Sequence, residues 1–274
     1  MKSPRKAIIS GAVIAATALV LAGCSASVSA SAPTAGSAAD GSLAAVQKAG
    51  TLTVGTEGTY RPFSFHEGGS GALTGYDVEI IRSVAAKLGV KAKFEETQWD
   101  AIFAGLKAGR FDVIANQVSI TPERTVAYAF SEPYTHSTGV IVVLSGNTSI
   151  TSFASLTGKT TAQSLTSSWY TLAKDSGATV EGVEGWAQSV ALVEQGRVDA
   201  TINDKLTFLD YKKQTGAAKF KVAAETDQKS ASAFAFKQGS TTLVKAVDGA
   251  LDDLTADGTL AKLSEKYFGA DVSK

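Results

Sequence analysis

Two segments of the chain repeat one design. LKAGRFDVIANQ (106–117) and VEQGRVDATIND (193–204) each leave an apolar-periodic helix through Gly-Arg, an apolar residue and Asp. Each then runs through a short apolar strand to a polar tip. A strand–helix unit made twice calls for two α/β halves, since each unit must bury its own strands between helices. The rest of the chain agrees. TLTVGTE (51–57), KAKFEE (91–96) and FDVIAN (111–116) read as strands, separated by the helical spacing of Val78, Ile81, Val84 and Leu88 and by WDAIFAGLKAGR. A second βαβ alternation runs from GVIVVL (139–144) through KTTAQS, SSWYTLAKDSG, ATVEGV, WAQSVALVEQGR and DATIN to KLTFLDYKKQTG. SAFAFK (232–237) follows as one more strand after that second block is complete, and the end of the chain is helical. Such sheets bind ligands beyond the carboxyl ends of their strands. Both echoed segments end in polar residues at that edge.

The chain of 274 residues has room for two modest halves, and its 26 Lys and Arg balance 26 Asp and Glu. That balance leaves no global field to recruit nucleic acid. At the N-terminus Lys2, Arg5 and Lys6 precede an apolar stretch, residues 8–21, too short to span a bilayer comfortably but the length of a signal-peptide core. LAGC (21–24) follows, ending on Cys24, the only cysteine and so without an intramolecular disulfide partner. The pattern resembles a bacterial lipoprotein signal. The resemblance implies a signal peptide at 1–23, lipidation of Cys24, and a mature chain anchored to the cell membrane from its outer side. Residues 24–42, nearly all Ser, Ala, Gly and Thr, lack the bulky apolar groups that offset ordering entropy and read as a flexible tether.

Thr121-Pro122-Glu123 has the chemistry of a helix start: a capping hydroxyl, a proline at the first position and an acid complementing the helix dipole. Arg124 then falls in the first turn, where a cation is disfavoured. Asp204, at the tip of the second echo, has an everyday reading as the cap of the helix from Lys205. Taken together, an arginine on one half and an aspartate on the other suit the two charges of an α-amino acid, because a guanidinium grips a carboxylate bidentately.

With these residues the sequence resembles the extracellular solute-binding proteins of polar amino-acid ABC importers, bacterial family 3. VGTEGTYRPFSF (54–65), GYDVEI (75–80), IANQVSITPER (114–124), FSEPY (130–134) and NDKL (203–206) carry the likeness in one order, over roughly residues 43–274. The resemblance implies the two-lobed periplasmic-binding-protein (Venus flytrap) fold, α/β, with two parallel-rich sheets joined by a two-strand hinge near 134–138 and 230–234. Lobe 1 is then 43–134 plus 233–274, and lobe 2 is 135–232. It also implies roles. Arg124 and Ser119 hold the ligand carboxylate, and Asp204 and Gln117 its ammonium. Tyr60 and Trp99 flank the side chain, Glu57 stands at the cleft lip, and Gln163, Thr166 and Ser167 meet the ligand from lobe 2. Asn116 and Asn203 lie within the matching motifs. Trp99 also reads as a hydrophobic staple of the helix it precedes.

AQSLTS (162–167), VEGVEGWAQ (180–188) and the tail 257–274 are similar to the cystine-binding subfamily. Cystine is therefore the favoured ligand, with Glu57, Gln98 or Gln163 for its far end. Glutamine, glutamate or another polar amino acid is the alternative, and a secreted dehydratase on this fold the competing class. The remaining expectations are a non-enzyme without cofactor or metal, His66 and His136 being isolated, and a monomer that delivers to an ABC permease with its ATPase. Asp77 reads as a helix cap, and Trp169 and Trp186 as packing residues.

Overall fold

A computed structural model describes residues 40–216 and 218–274. The signal peptide, Cys24 and the tether up to residue 39 lie outside the described residues. Asp40, Gly41 and Ser42, assigned above to the tether, belong to the fold. The Asp40 carboxylate accepts hydrogen bonds from the backbone N–H of Ser42 (2.9 Å) and of Thr242 (2.8 Å), tying the start of the described chain to a helix near its end.

The first half opens with α1 (Ser42–Ala49) and β1 (Thr51–Thr56), then a small antiparallel sheet of β2 (Thr59–Tyr60), β3 (Ser64–His66) and β4 (Leu73–Thr74). Next come α2 (Tyr76–Lys87), β5 (Lys91–Glu96), α3 (Trp99–Lys107), β6 (Val113–Ser119), α4 (Pro122–Ala127), β7 (Tyr128–Phe130) and β8 (Thr135–Ser137). The chain then builds a second half from β9 (Gly139–Leu144), β10 (Thr160–Gln163), α5 (Ser168–Asp175), β11 (Thr179–Gly182), α6 (Trp186–Glu194), β12 (Thr201–Asp204), α7 (Lys205–Thr215) and β13 (Phe220–Glu225). It returns through β14 (Ser230–Lys237) and closes on α8 (Thr241–Ala256) and α9 (Thr259–Phe268).

In the first half the strands run β5-β1-β6-β14-β7, with β1 parallel to both β5 and β6 and β14 antiparallel to β6. The start of β14 pairs with β8, Ser230 opposite Ser137 and Ser232 opposite Thr135, so the two passages between halves lie side by side. Strand alternation divides the core as the pleat requires. Val113, Ala115, Phe234 and Phe236 join α1, α2 and α8 on one face, while Ile114, Val118 and Ala235 join α3 on the other. The same alternation recurs in β9, with Val140 and Val142 on the α6 and α7 side and Ile141 and Val143 on the α5 side.

The second sheet differs from the parallel-rich expectation. β9 pairs antiparallel with both β12 and β13; among the described residues β10 and β11 run parallel, and a parallel bridge from Thr161 of β10 to Ala200 links them to the residue before β12. The reason is connectivity. The α/β strands end at the edge facing the other half, whereas a strand arriving from that half begins at this edge and runs away from it. β9 and β14 are those arrivals, and each is antiparallel to the neighbours it joins.

Candidate functional site

Between the carboxyl edges of the two sheets lies a cavity of about 560 Å3. From the first half its wall takes Glu57, just past β1, then Tyr60, Trp99 at the start of α3, Asn116, Gln117 and Ser119 at the end of β6, and Arg124 in α4. From the second half come Gln163 at the end of β10, Ser167 and Ser168 at the start of α5, Trp169, Glu184, Trp186 at the start of α6, and Asn203. Every sequence-derived ligand-site candidate except Thr166 and Asp204 is a wall residue.

Arg124 is held where the helix start predicts: Thr121 caps α4, its Oγ1 accepting from the Arg124 N–H at 3.3 Å. The guanidinium spans the two halves, donating to the Ser119 carbonyl at 3.0 Å and to the Thr166 carbonyl at 3.1 Å. It lies 5.1 Å from the Phe103 ring centre and 5.5 Å from that of Trp99. Burial pulls its pKa down to about 10, so it stays charged at neutral pH. Among the described residues no carboxylate lies within ion-pair distance of it. A partly buried cation without a counter-ion costs folding free energy and attracts an anion.

Asp204 is set back from the wall because it is committed to structure. Its Oδ1 accepts from Ser137 Oγ at 2.7 Å and from the Leu206 N–H at 2.8 Å, the cap of α7. Its Oδ2 has no hydrogen-bond partner among the described residues, and burial raises the carboxyl to about 6. Thr166 ties the halves together rather than lining the cavity: its N–H and Oγ1 both donate to Asp100 Oδ1, at 3.0 and 2.7 Å, a second link across the halves. Tyr60 makes a third, its hydroxyl donating to Asn203 Oδ1 at 2.8 Å.

Asn116 is fully buried and serves Glu57, its Oδ1 accepting from the Glu57 N–H at 2.9 Å and its amide donating to the Glu57 carboxylate. Burial pushes Glu57 up to about 7, with Asp100 and Glu184 adding like charge. Glu57, Glu96 and Glu184 are thus three acids on the wall against one cation, Arg124.

Asp77 is no helix cap. Gly75 holds that position, while Asp77 lies fully buried in the first turn of α2 and accepts from the Gln117 N–H and side-chain amide. Trp169 and Trp186 pack against the two core clusters of the second half, as expected, and also line the cavity. Trp169 explains Gly139: a Cβ there would fall 2.5 Å from the indole. Both tryptophans lie in the first turn of helices that start at the carboxyl edge, so one ring serves core and cavity together. Five buried side-chain polar atoms lack partners among the described residues, and four belong to wall residues: Trp99 Nε1, Gln117 Oε1, Gln163 Nε2 and Trp186 Nε1. Unpaired buried groups normally number few, so their concentration here marks a polar ligand's site.

A cleft between two α/β halves, walled by unpaired polar groups and a single, partly buried arginine, defines a binding protein for small anionic or zwitterionic solutes. The chain belongs to the bacterial extracellular solute-binding proteins, family 3, whose model matches residues 52–270. It is 52% identical to the L-cystine-binding protein TcyA of Bacillus subtilis over 238 residues, 86% of this chain and 88% of that one. Among solved structures it resembles the L-cystine solute receptor of Neisseria gonorrhoeae in its unliganded open conformation, at 49% identity and TM-score 0.57, covering 85% of this chain and 99% of that chain. It also resembles an ancestral arginine-binding protein bound to arginine, at 36% identity and TM-score 0.75, covering 80% and 99%. The more similar sequence superposes less well. Two rigid halves rotated about a hinge give that result, and here the halves touch through Arg124, Asp100 and Tyr60.

Proposed function

We propose that this chain is the extracytoplasmic receptor of an amino-acid ABC importer and that its ligand is L-cystine, captured by closure of the two lobes and passed to the permease. The observation that carries the reading is Arg124, a charged, partly buried guanidinium with no counter-ion among the described residues, on the wall of an interlobe cavity. It takes the α-carboxylate, with Ser119 beside it. Gln117 and the free Oδ2 of Asp204 take the ammonium.

The rest of the wall selects the side chain. Three acids against one cation disfavour glutamate, whose second carboxylate would meet Glu57 and Glu184, and favour a ligand with a second ammonium. Cystine has one at its far end, and its disulfide suits the aromatic faces of Tyr60, Trp99, Trp169 and Trp186. The likeness to the cystine-binding protein of B. subtilis points the same way. A basic amino acid is the second reading, supported by the same acids and by the likeness to an arginine-bound structure. Calorimetric titration with L-cystine, L-arginine, L-glutamine and L-glutamate at pH 7 decides: cystine binds tightest and glutamate weakest if the reading is right. Cys24 carries the lipid anchor and the receptor acts as a monomer. Cys24→Ala then leaves the chain without the diacylglycerol, read as the loss of that mass in mass spectrometry, and light scattering gives the mass of one chain.

A further inference from the structure

Gln117 is the non-glycine residue with positive φ among the described residues, at 49°. A side chain in the left-handed region costs free energy and needs a surrounding that enforces it. Asp77 supplies that surrounding. Its Oδ2 accepts the Gln117 backbone N–H at 2.6 Å, and its Oδ1 accepts the Gln117 Nε2 at 2.8 Å. The same Nε2 also donates to Thr135 Oγ1 at 3.0 Å, so both amide hydrogens are engaged. Asp77 is fully buried and Gln117 is 7% exposed. The ionised carboxylate accepts and cannot donate, which fixes which way the amide faces. What is left is Gln117 Oε1, an acceptor without a partner on a residue of the cavity wall.

We propose that Asp77, which does not line the cavity, is a positioning residue for ligand binding: it locks the Gln117 amide so that Oε1 accepts from the ligand's ammonium. This rests on the reading of the ligand as an amino acid. The carboxylate also holds the passage between halves, since Tyr134 Oη donates to Asp77 Oδ2 at 2.7 Å and Thr135, the second partner of Nε2, opens β8. Ligand acceptor and hinge strand therefore hang on one buried group, so an ammonium seated on Gln117 is felt at the start of β8.

Asp77→Asn separates positioning from bulk. The new amide donates where a carboxylate accepted, so Gln117 turns over, placing its Oε1 toward that introduced donor and its Nε2 toward the cavity. Thr135, whose hydroxyl can donate as well as accept, tolerates the reversal. A donor then faces the ligand's donor. The test is a double-mutant cycle by calorimetry with L-cystine: wild type, Asp77→Asn, Gln117→Leu and the double variant, with thermal melts of each. Each single substitution should weaken binding about tenfold or more, the scale of one hydrogen bond to a charged group. The double variant should bind no more weakly than Gln117→Leu alone. Unchanged affinity in Asp77→Asn, or losses that add, overturns the proposal, because a merely structural role would add. If Asp77→Asn shows no cooperative melt, Tyr134→Phe replaces it, with a smaller loss that must also vanish in the Gln117→Leu background. A wild type that binds L-arginine instead of L-cystine sinks the cystine reading and leaves this one to the same cycle run with arginine. A wild type that binds neither overturns both.

Discussion

The ends of β6 and β12 come from the two echoed segments, reach the same cleft edge and each lead to a capped helix, yet they are chemically unalike. Among the described residues, the β6 end holds a left-handed Gln117 with an unpaired Oε1, and beyond it a partly buried Arg124 without a counter-ion. The β12 end is nearly at rest, Asp204 capping α7 and taking the Ser137 hydroxyl with one oxygen while Asn203 bonds to Tyr60. Repetition therefore determines where a polar tip lies, but its satisfied or unsatisfied bonds determine whether it is free to bind. At these two strand ends the first carries more of the local cost of function, and the second meets it with groups that also hold the fold.

The largest test of this contrast is Arg124→Met. Ligand binding should fall by about 2–5 kcal/mol, the cost of losing a buried charge partner, while the melting temperature of the free protein holds or rises because an uncompensated cation is gone. A variant that melts markedly lower would break the comparison. Asp204→Ala should lower both quantities: stability by about 1–2 kcal/mol through the lost cap and hinge bond, and affinity through the lost Oδ2, read by melts and calorimetry on one sample.

Glu57 gives a pH signature. Burial raises its carboxyl to about 7, above the 4.5 of a free glutamate. In the free protein its stabilising contribution is therefore complete below the unfolded value and is lost as pH rises through about 7. Binding has the opposite dependence: an ammonium prefers the ionised form, so affinity should rise with pH through that range, by up to about tenfold per unit below it. Titrations between about pH 5.5 and 8 should show the slope, and Glu57→Gln should flatten it. The smallest effect is Thr121→Ala, which removes the cap of α4 and should cost about 1 kcal/mol with little change in affinity. It sets the scale for a cap that, unlike Asp204, has no second task.

Much of the fold is readable in advance because burial imposes periodicity. The spans 91–96 and 139–144 read as strands from their apolar pattern and are β5 and β9. The start of α4 follows from Thr121 and Pro122. α1 escapes such a reading, since eight mostly small residues after a Ser/Ala tract carry little signal until they pack on β1 and α8. Strand direction in the second sheet escapes it too. Periodicity reports which face of a strand is buried and is silent on which way its neighbours run. Within the site, Arg124 stands out as a cation where none is wanted, whereas Asp77 looks like any acid in a first helical turn.

By itself the sequence determined two α/β halves, the cleft edge at which polar tips gather, and the residue types available there. Those follow from local pattern: apolar spacing, caps and an internal repeat. Only the tertiary structure decided that Asp77 holds Gln117, that Asp204 stands back from the wall while Trp169 and Trp186 join it, and that Arg124 has no counter-ion among the described residues. Each of those is a matter of which distant groups share one desolvated space, and in such a space the value of a charge or a donor depends on its partners rather than on its place in the chain.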